Sequence, residues 1–259
     1  MLKVVILAGG KGTRLSQETA TVPKPMLEVG GYPLVWHIMD HFSSYGFEEF
    51  VLALGYKAEA FKDYFLRYPY LHSNITLSLS TATVEIYEPE ARPWRVHLVD
   101  TGLDTATGGR LRRLRGLLEK ERFFVTYGDG ISDVDLKEVL EHHDSHTKSV
   151  TITAVNPPSQ FGEVIFDDDG VTARFVEKPS LDDRWINGGY MVVEPDVLEE
   201  IQSDETSLEY DVLQLLGRQG RLGAYRHRGF WMCVDTGKDL ERLRKLWVSG
   251  AAPWTRKHG

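Results

Sequence analysis

Residues 3–7, Lys-Val-Val-Ile-Leu, form a continuous β-branched apolar run without polar alternation. That pattern predicts a strand buried on both faces. A glycine-rich stretch over 8–16 follows, and 33–44 then carries Leu34, Ile38 and Phe42 at four-residue spacing. The spacing predicts a helix, with Pro33 suited to its first turn. A second apolar run over 50–54 and a second amphipathic stretch over 57–66 repeat the order. Strand, helix, strand, helix predicts a parallel sheet with crossover connections, an α/β fold. Three runs within 75–99 (ITLSLS, TVEIY and RVHLV) alternate instead, which predicts antiparallel or edge strands.

The helical period returns over 111–118 and 136–143, with Asp135 and Glu138 placed for a capping box before the second. Strands are expected at 123–127, 150–154 and 189–193. A hairpin over 163–177 is expected to turn at Asp168-Asp169-Gly170. Helices are expected around Val197 and Val212, two strands within 223–234, and a closing helix over 237–247. No repeat, low-complexity tract or linker divides the 259 residues, so one domain is expected.

Charge narrows the partners. A formal net charge of -8 and a pI near 5.6 argue against general affinity for nucleic acid or anionic membrane. Any phosphate chemistry must therefore sit in a local basic pocket. Cys233 is the single cysteine, so no internal disulfide can form and a reducing, cytoplasmic setting is expected. The apolar start is too short for a signal-peptide core or a membrane span.

Leu7-Ala8-Gly9-Gly10-Lys11-Gly12-Thr13-Arg14-Leu15 is the strongest local signal. Glycines let backbone amides approach an anion, Thr13 adds a hydroxyl, and Arg14 adds a planar fork matched to phosphate oxygens. The dinucleotide fingerprint fails because Leu15 stands where its last glycine belongs. The P-loop fails at Arg14 and Leu15. Lys24, held between Pro23 and Pro25, is a candidate second cation. Asp129 and Asp235 each close an apolar strand, where open α/β sheets place ligands, and together suit a hard cation such as Mg²⁺. Asp133 reads as a helix cap. Glu177-Lys178-Pro179 leaves a carboxylate and an ammonium at a strand end, and Asn187-Gly188-Gly189 offers an amide beside bare backbone. His37 with His41, and His142 with His146, lack a zinc signature. The six tryptophans are assigned to core and interface.

GGKGTRL, VPKPM, YGDG, EKP, INGGY and the late Asp235 together resemble the sugar-1-phosphate nucleotidylyltransferase family along nearly the whole chain. The segments RPWRVHLVDTG, TGGRLRRL, FWMCVDT and GAAPW place the resemblance nearest its glucose-1-phosphate cytidylyltransferase branch. Several positions differ from the family pattern: Lys11, Met232-Cys233 in place of Gln-Pro, and Leu208-Glu209-Tyr210 in place of Trp-Glu-Gln. The resemblance implies a Rossmann-like mixed, mostly parallel sheet flanked by helices, with a smaller β-rich part for sugar binding and oligomerisation. Residues 1–155 would be mainly nucleotide-binding and 156–259 mainly the sugar-phosphate side with the closing helix.

By the same resemblance, Arg14, Lys24, Asp129 and Lys178 carry catalysis. Leu7, Ala8, Gly9, Gly10, Gly12, Thr13, Thr107, Gly109, Arg110 and Gly128 line the nucleotide. Tyr127, Glu177, Lys178, Asn187 and Gly188 hold the sugar phosphate, while Asp129 and Asp235 bind Mg²⁺. CTP and a sugar 1-phosphate are the implied substrates, and a homo-oligomer the implied assembly. A sister transferase using dTTP, UTP or GTP remains open at this point, as does a non-catalytic nucleotide-sugar-binding module.

Overall fold

The computed structural model describes residues 2–12, 22–87, 92–157, 163–166, 173–176 and 184–255. It begins with β1 (Lys3–Leu7), whose side chains alternate between two buried faces, Val4 and Ile6 to one core and Val5 and Leu7 to the other. A short ribbon of β2 (Glu28–Val29) and β3 (Tyr32–Pro33) leads into α1 (Leu34–Ser43), β4 (Glu49–Leu54) and α2 (Ala58–Leu71). A hairpin of β5 (Asn74–Ser78) and β6 (Thr83–Tyr87) precedes β7 (Arg95–Asp100). Next come α3 (Thr107–Arg113), α4 (Arg115–Leu118), β8 (Phe123–Tyr127), β9 (Gly130–Ser132), α5 (Leu136–Asp144) and β10 (Val150–Val155). The remainder holds β11 (Glu163–Phe166), β12 (Ala173–Val176), β13 (Ile186–Asn187), β14 (Met191–Val193), α6 (Gln214–Arg218), β15 (Leu222–His227), β16 (Trp231–Cys233) and α7 (Gly237–Val248).

In the main sheet β1 lies between β4 and β8, parallel to both, and β7 extends the parallel run beyond β4. On the other side β14 joins β8 to β10 antiparallel to each, and β15 runs parallel to β10. The sheet is therefore mixed and mostly parallel. One face is covered by apolar positions of α1, α5 and α7, including Ile38, Val139 and Leu243. The other is covered by α3, α4 and the segment 197–216. Because β1, β4 and β8 are parallel, their carboxyl ends at Leu7, Leu54 and Tyr127 open on one edge, where ligands of such sheets bind. The β5–β6 and β11–β12 hairpins stand outside this sheet. Among the described residues no helix is long and apolar enough to cross a membrane.

Several elements differ from the sequence reading, each for a local reason. The run over 95–99 alternates because it is an edge strand, yet it pairs in parallel with β4. The second helix continues to Leu71 through Pro69, which sits in the final turn, where a missing amide disturbs little beyond it. The helix expected over 111–118 starts earlier, at Thr107, and breaks at Leu114 (φ -93°, ψ 2°) into α3 and α4. Its early start is set by tertiary contact: the Ala106 and Gly109 amides donate to Asp204 O and Thr206 O. The helix around Val212 opens as a π-helix, Leu208–Leu213, and 195–200 is a 3₁₀ helix. Pro33 precedes α1 as its cap rather than lying inside it.

Asp133 does not cap α5. Asp135 does so, accepting from the Lys137 and Glu138 amides, while Asp133 accepts from the Phe230 amide at 2.7 Å and pairs with His227 at 3.0 Å. The expected reciprocal half of the box is replaced by a Glu138 contact to the Tyr225 hydroxyl. The Asp168-Asp169-Gly170 turn lies outside the described residues.

His37 on α1 is held through both ring nitrogens. Its Nε2 reaches Val29 O at 2.8 Å and its Nδ1 accepts from Trp254 Nε1 at 3.3 Å, which ties the GAAPW segment to the first helix. Burial lowers its pKa from 6.5 to about 4, only partly opposed by its backbone bonds. The unfolded chain therefore binds more protons than the folded one between these values, so stability falls as pH drops from about 6.5 towards 4. At pH 5 the loss is about 2 kcal/mol relative to neutral pH. Urea titrations at both pH values check this. The difference should shrink by roughly that amount in His37→Gln, and an unchanged difference would refute the assignment.

Candidate active site

Two prolines set the position of Lys24. Pro23 takes an extended φ/ψ before the single turn Lys24–Met26, and Pro25 lies inside that turn. Gly128 lets the turn approach the end of β8, since a Cβ there would lie 2.7 Å from Pro25 Cγ. The Lys24 side chain is 11% exposed and its Nζ lies 2.7 Å from Asp129 Oδ2 and 2.9 Å from Asp235 Oδ1. Burial alone would lower the Lys24 pKa, but Asp129 and the bond to Asp235 more than reverse this and raise it. The ammonium is therefore firmly charged.

The two aspartates are 106 residues apart in sequence but adjacent in register. β16 pairs antiparallel with β9, Cys233 opposite Gly130, and the Val234 amide donates to Asp129 O at 3.0 Å. That ladder brings the residue before β9 beside the residue after Val234. Asp129, Cys233 and Asp235 have donor atoms within 4.8 Å of one another, the only such group among the described residues. Burial, then Asp129, pushes the Cys233 thiol pKa upward, so it remains a thiol. The two carboxylates already share one point-sized cation, which is the donor arrangement a hard divalent ion takes together with phosphate oxygens. Sulfur is a soft donor and adds nothing for such an ion.

Opposite them stands the glycine-rich loop. Arg110 is 4% exposed and its guanidinium reaches Leu54 O (2.9 Å), Thr101 Oγ1 (2.7 Å), Gly102 O (2.8 Å) and Gly9 O (3.1 Å). It thus ties the ends of β4 and β7 to the loop rather than presenting a free charge. Lys11 Nζ pairs with Asp104 at 2.8 Å, both exposed, so its charge is met by a carboxylate.

Between loop and aspartates lies a cavity of about 410 Å³. Leu7, Ala8, Gly9, Gly10 and Gly12 line it on one side. Lys24, Thr107, Arg110, Tyr127, Gly128, Asp129 and Asp235 line it on the others. Gly109 does not line it: the residue is pressed against Asp204, where a Cβ would fall 2.3 Å from the carbonyl oxygen. Asn187 stands behind Tyr127, its Nδ2 donating to the phenol at 3.2 Å, and Gly188 O accepts from Trp231 Nε1. The strand breaks here because Gly189 (φ 79°) and Tyr190 (φ 48°) both take left-handed backbone. For tyrosine that is strained, and it is held by full burial and a bond from its hydroxyl to Gly130 O. Thr13, Arg14, Glu177 and Lys178 lie outside the described residues.

Glu209 was not singled out from the sequence, yet its carboxylate receives the hydroxyls of Tyr127 (2.6 Å), Thr107 (2.6 Å) and Ser207 (3.0 Å). The glutamate retained within Leu208-Glu209-Tyr210 was the available signal.

A cationic turn, converging carboxylates and a glycine loop at the carboxyl edge of a mixed sheet define a phosphate-handling α/β protein. The chain belongs to the nucleotidyl transferase family, whose model matches residues 3–246. It is 44% identical to a glucose-1-phosphate cytidylyltransferase of Salmonella typhi over 255 residues, 98% of each chain. It is 40% identical to a probable glucose-1-phosphate cytidylyltransferase of Bacillus subtilis, over 98% of this chain and 99% of that one. In fold it is similar to HddC from Yersinia pseudotuberculosis, with TM-score 0.69 and 24% identity over 95% of this chain and 100% of that one. A UDP-glucose pyrophosphorylase bound to UDP-glucose gives TM-score 0.67 and 19% identity, over 96% and 99% of the two chains.

The Arg110 clamp makes a sharp prediction. A Cβ on Gly9 would lie 2.1 Å from Arg110 Nη1, an atom held by three oxygens, whereas a Cβ on Gly10 meets nothing within 4 Å. Gly9→Ala should lose about 1–3 kcal/mol in denaturant unfolding and Gly10→Ala under about 0.5. Equal losses would mean the clamp is not rigid.

Proposed function

We propose that this chain transfers a cytidylyl group from CTP to α-D-glucose 1-phosphate, giving CDP-glucose and pyrophosphate. The observation that carries the chemistry is Lys24 bridging Asp129 and Asp235 across a cavity from the glycine loop. The two cytidylyltransferase relatives, similar from end to end, support the choice of base and sugar.

The sugar phosphate is already an anion near neutral pH, its second pKa being about 6, so it attacks without a general base. One of its oxygens forms the new bond to the α-phosphorus as the bond to the bridging β-phosphate oxygen breaks in line. The protein's task is to place two mutually repelling anions and to offset the charge that builds on departing pyrophosphate. Lys24 lies against the phosphate path for that purpose, with Arg14 completing the triphosphate cradle and Lys178 matching the attacking phosphate. Asp129 and Asp235 would hold Mg²⁺, which when bound supplies Lewis-acid charge neutralisation to the phosphates. The nucleotide lies against segments drawn mainly from 1–155 and the sugar phosphate mainly against 156–259, in a cytoplasmic enzyme.

Pyrophosphate release across a grid of nucleoside triphosphates and sugar 1-phosphates tests this directly. CTP with glucose 1-phosphate should give the highest kcat/KM, and preference for another pair would reassign the substrates. Asp129→Asn and Asp235→Asn should each lower kcat by at least about a hundredfold. Near-normal rates for both would remove them from the centre.

We also propose a homo-oligomer assembled through the β5–β6 hairpin. Ile75 lies opposite Ile86 and Leu77 opposite Val84, on one face, and all four are 41–54% exposed. A two-stranded hairpin is marginal alone, and an apolar face of this kind gains stability when a second copy covers it. Light scattering should show an assembly that Leu77→Arg with Ile86→Arg reduces to a folded monomer. A wild-type monomer would end the idea.

A further inference from the structure

Behind the cavity wall, Glu209 collects hydrogens that the substrates could otherwise have met. Tyr127 Oη donates to its Oε1 at 2.6 Å, while Thr107 Oγ1 donates to its Oε2 at 2.6 Å and Ser207 Oγ at 3.0 Å. Tyr127 and Thr107 line the cavity, whereas Glu209 does not. It sits at the opening of the π-helix Leu208–Leu213, held by the Ser207 cap. Such wide turns are uncommon and often mark functional positions.

A phenol has one hydrogen and accepts through its oxygen, and a carboxylate only accepts. With its hydrogen committed to Glu209, Tyr127 Oη receives Asn187 Nδ2 at 3.2 Å and has lone-pair capacity remaining. Thr107 Oγ1 is in the same condition, receiving the Leu208 amide at 2.9 Å. We propose that Glu209 is a positioning residue that fixes Tyr127 as an acceptor only, so that this wall selects a sugar hydroxyl able to donate. The proposal rests on the transfer reaction argued above. A phosphate dianion carries acceptors alone, so the same wall turns it away and leaves it to the lysine side of the cavity.

Monofluorinated glucose 1-phosphates probe this, because fluorine at the 2, 3, 4 or 6 position removes a donor while keeping the substituent small. In the wild type, one of the four should lose about tenfold in kcat/KM against glucose 1-phosphate, the worth of one lost donor. Glu209→Gln frees the phenol hydrogen to turn into the cavity. For that variant, KM for glucose 1-phosphate should rise about tenfold with kcat changed less than about threefold, and the penalty on the same analogue should fall below about twofold. Tyr127→Phe, which keeps the ring, should remove the penalty too, and the two substitutions should be non-additive together. Thermal melts confirm that each variant is folded, and Tyr127→Phe decides the matter if Glu209→Gln is not. A penalty of equal size in the wild type and either folded variant overturns the proposal, as does a wild type with no position costing more than about twofold. No pyrophosphate release from CTP and glucose 1-phosphate in the wild type would instead refute the reaction itself.

Discussion

Lys24 is nine-tenths withdrawn from water and its ammonium touches two carboxylates at once. A buried charge that loses its partners is penalised by several kcal/mol, so neither aspartate can move away without the other compensating. That constraint reaches outwards. Asp129 requires β8 and β9 in place, Asp235 requires β16 on β9, and Lys24 requires the Pro23-Lys24-Pro25 turn against Gly128. The site is thus a closure condition on the fold, satisfied only when segments from both ends of the sequence meet.

Two further polar ties act in the same way on the remaining walls. Arg110 fixes the Gly9 carbonyl to the ends of β4 and β7, so the loop's backbone faces the cavity in one arrangement. Glu209 fixes Thr107 on α3 to Tyr127 on β8. Each tie satisfies several acceptors or donors in a place where water would otherwise be needed, and such networks rigidify when complete. A reaction that depends on in-line placement of two phosphates gains most from walls of this kind, because small displacements of reacting groups are costly.

The parallel core was legible because β1, β4 and β8 are apolar on both faces, which alternation cannot mimic. The two aspartates were legible for the related reason that each ends an apolar run. What local pattern could not show was any feature decided by contact across the chain. The start of α3 at Thr107 depends on carbonyls of Asp204 and Thr206, and the glycines there read as loop. Arg110 reads as one arginine among several on that helix, and only the fold shows its guanidinium enclosed by carbonyls. Asp133 and Asp135 are equivalent as caps in sequence. The loop carrying Phe230 and the ring of His227 claim the first and leave α5 to the second. Glu209 stands in the sequence only as the glutamate kept within Leu208-Glu209-Tyr210, and it is the fold that brings the Tyr127 and Thr107 hydroxyls to it.

The net charge of -8 sets the last requirement on such a site. Around the cavity Lys24 contributes one positive charge against the two negative charges of Asp129 and Asp235, and Lys11 is matched by Asp104. Arg110 is charged, but its hydrogens point at protein oxygens. Counting Arg110 with Lys24 against the two aspartates, the described walls carry no net positive charge, which is too little to hold a triphosphate. The family chemistry therefore needs cations that bind the carboxylates or arrive on adjoining segments. In the proposed reaction, Arg14, Lys178 and a divalent ion held by Asp129 and Asp235 would supply that positive charge. Carboxylates at the centre of a phosphate site are then not a contradiction. On that proposal they would make anion binding conditional on a metal, and the acidic chain around them discourages attachment of unrelated phosphates such as nucleic acid.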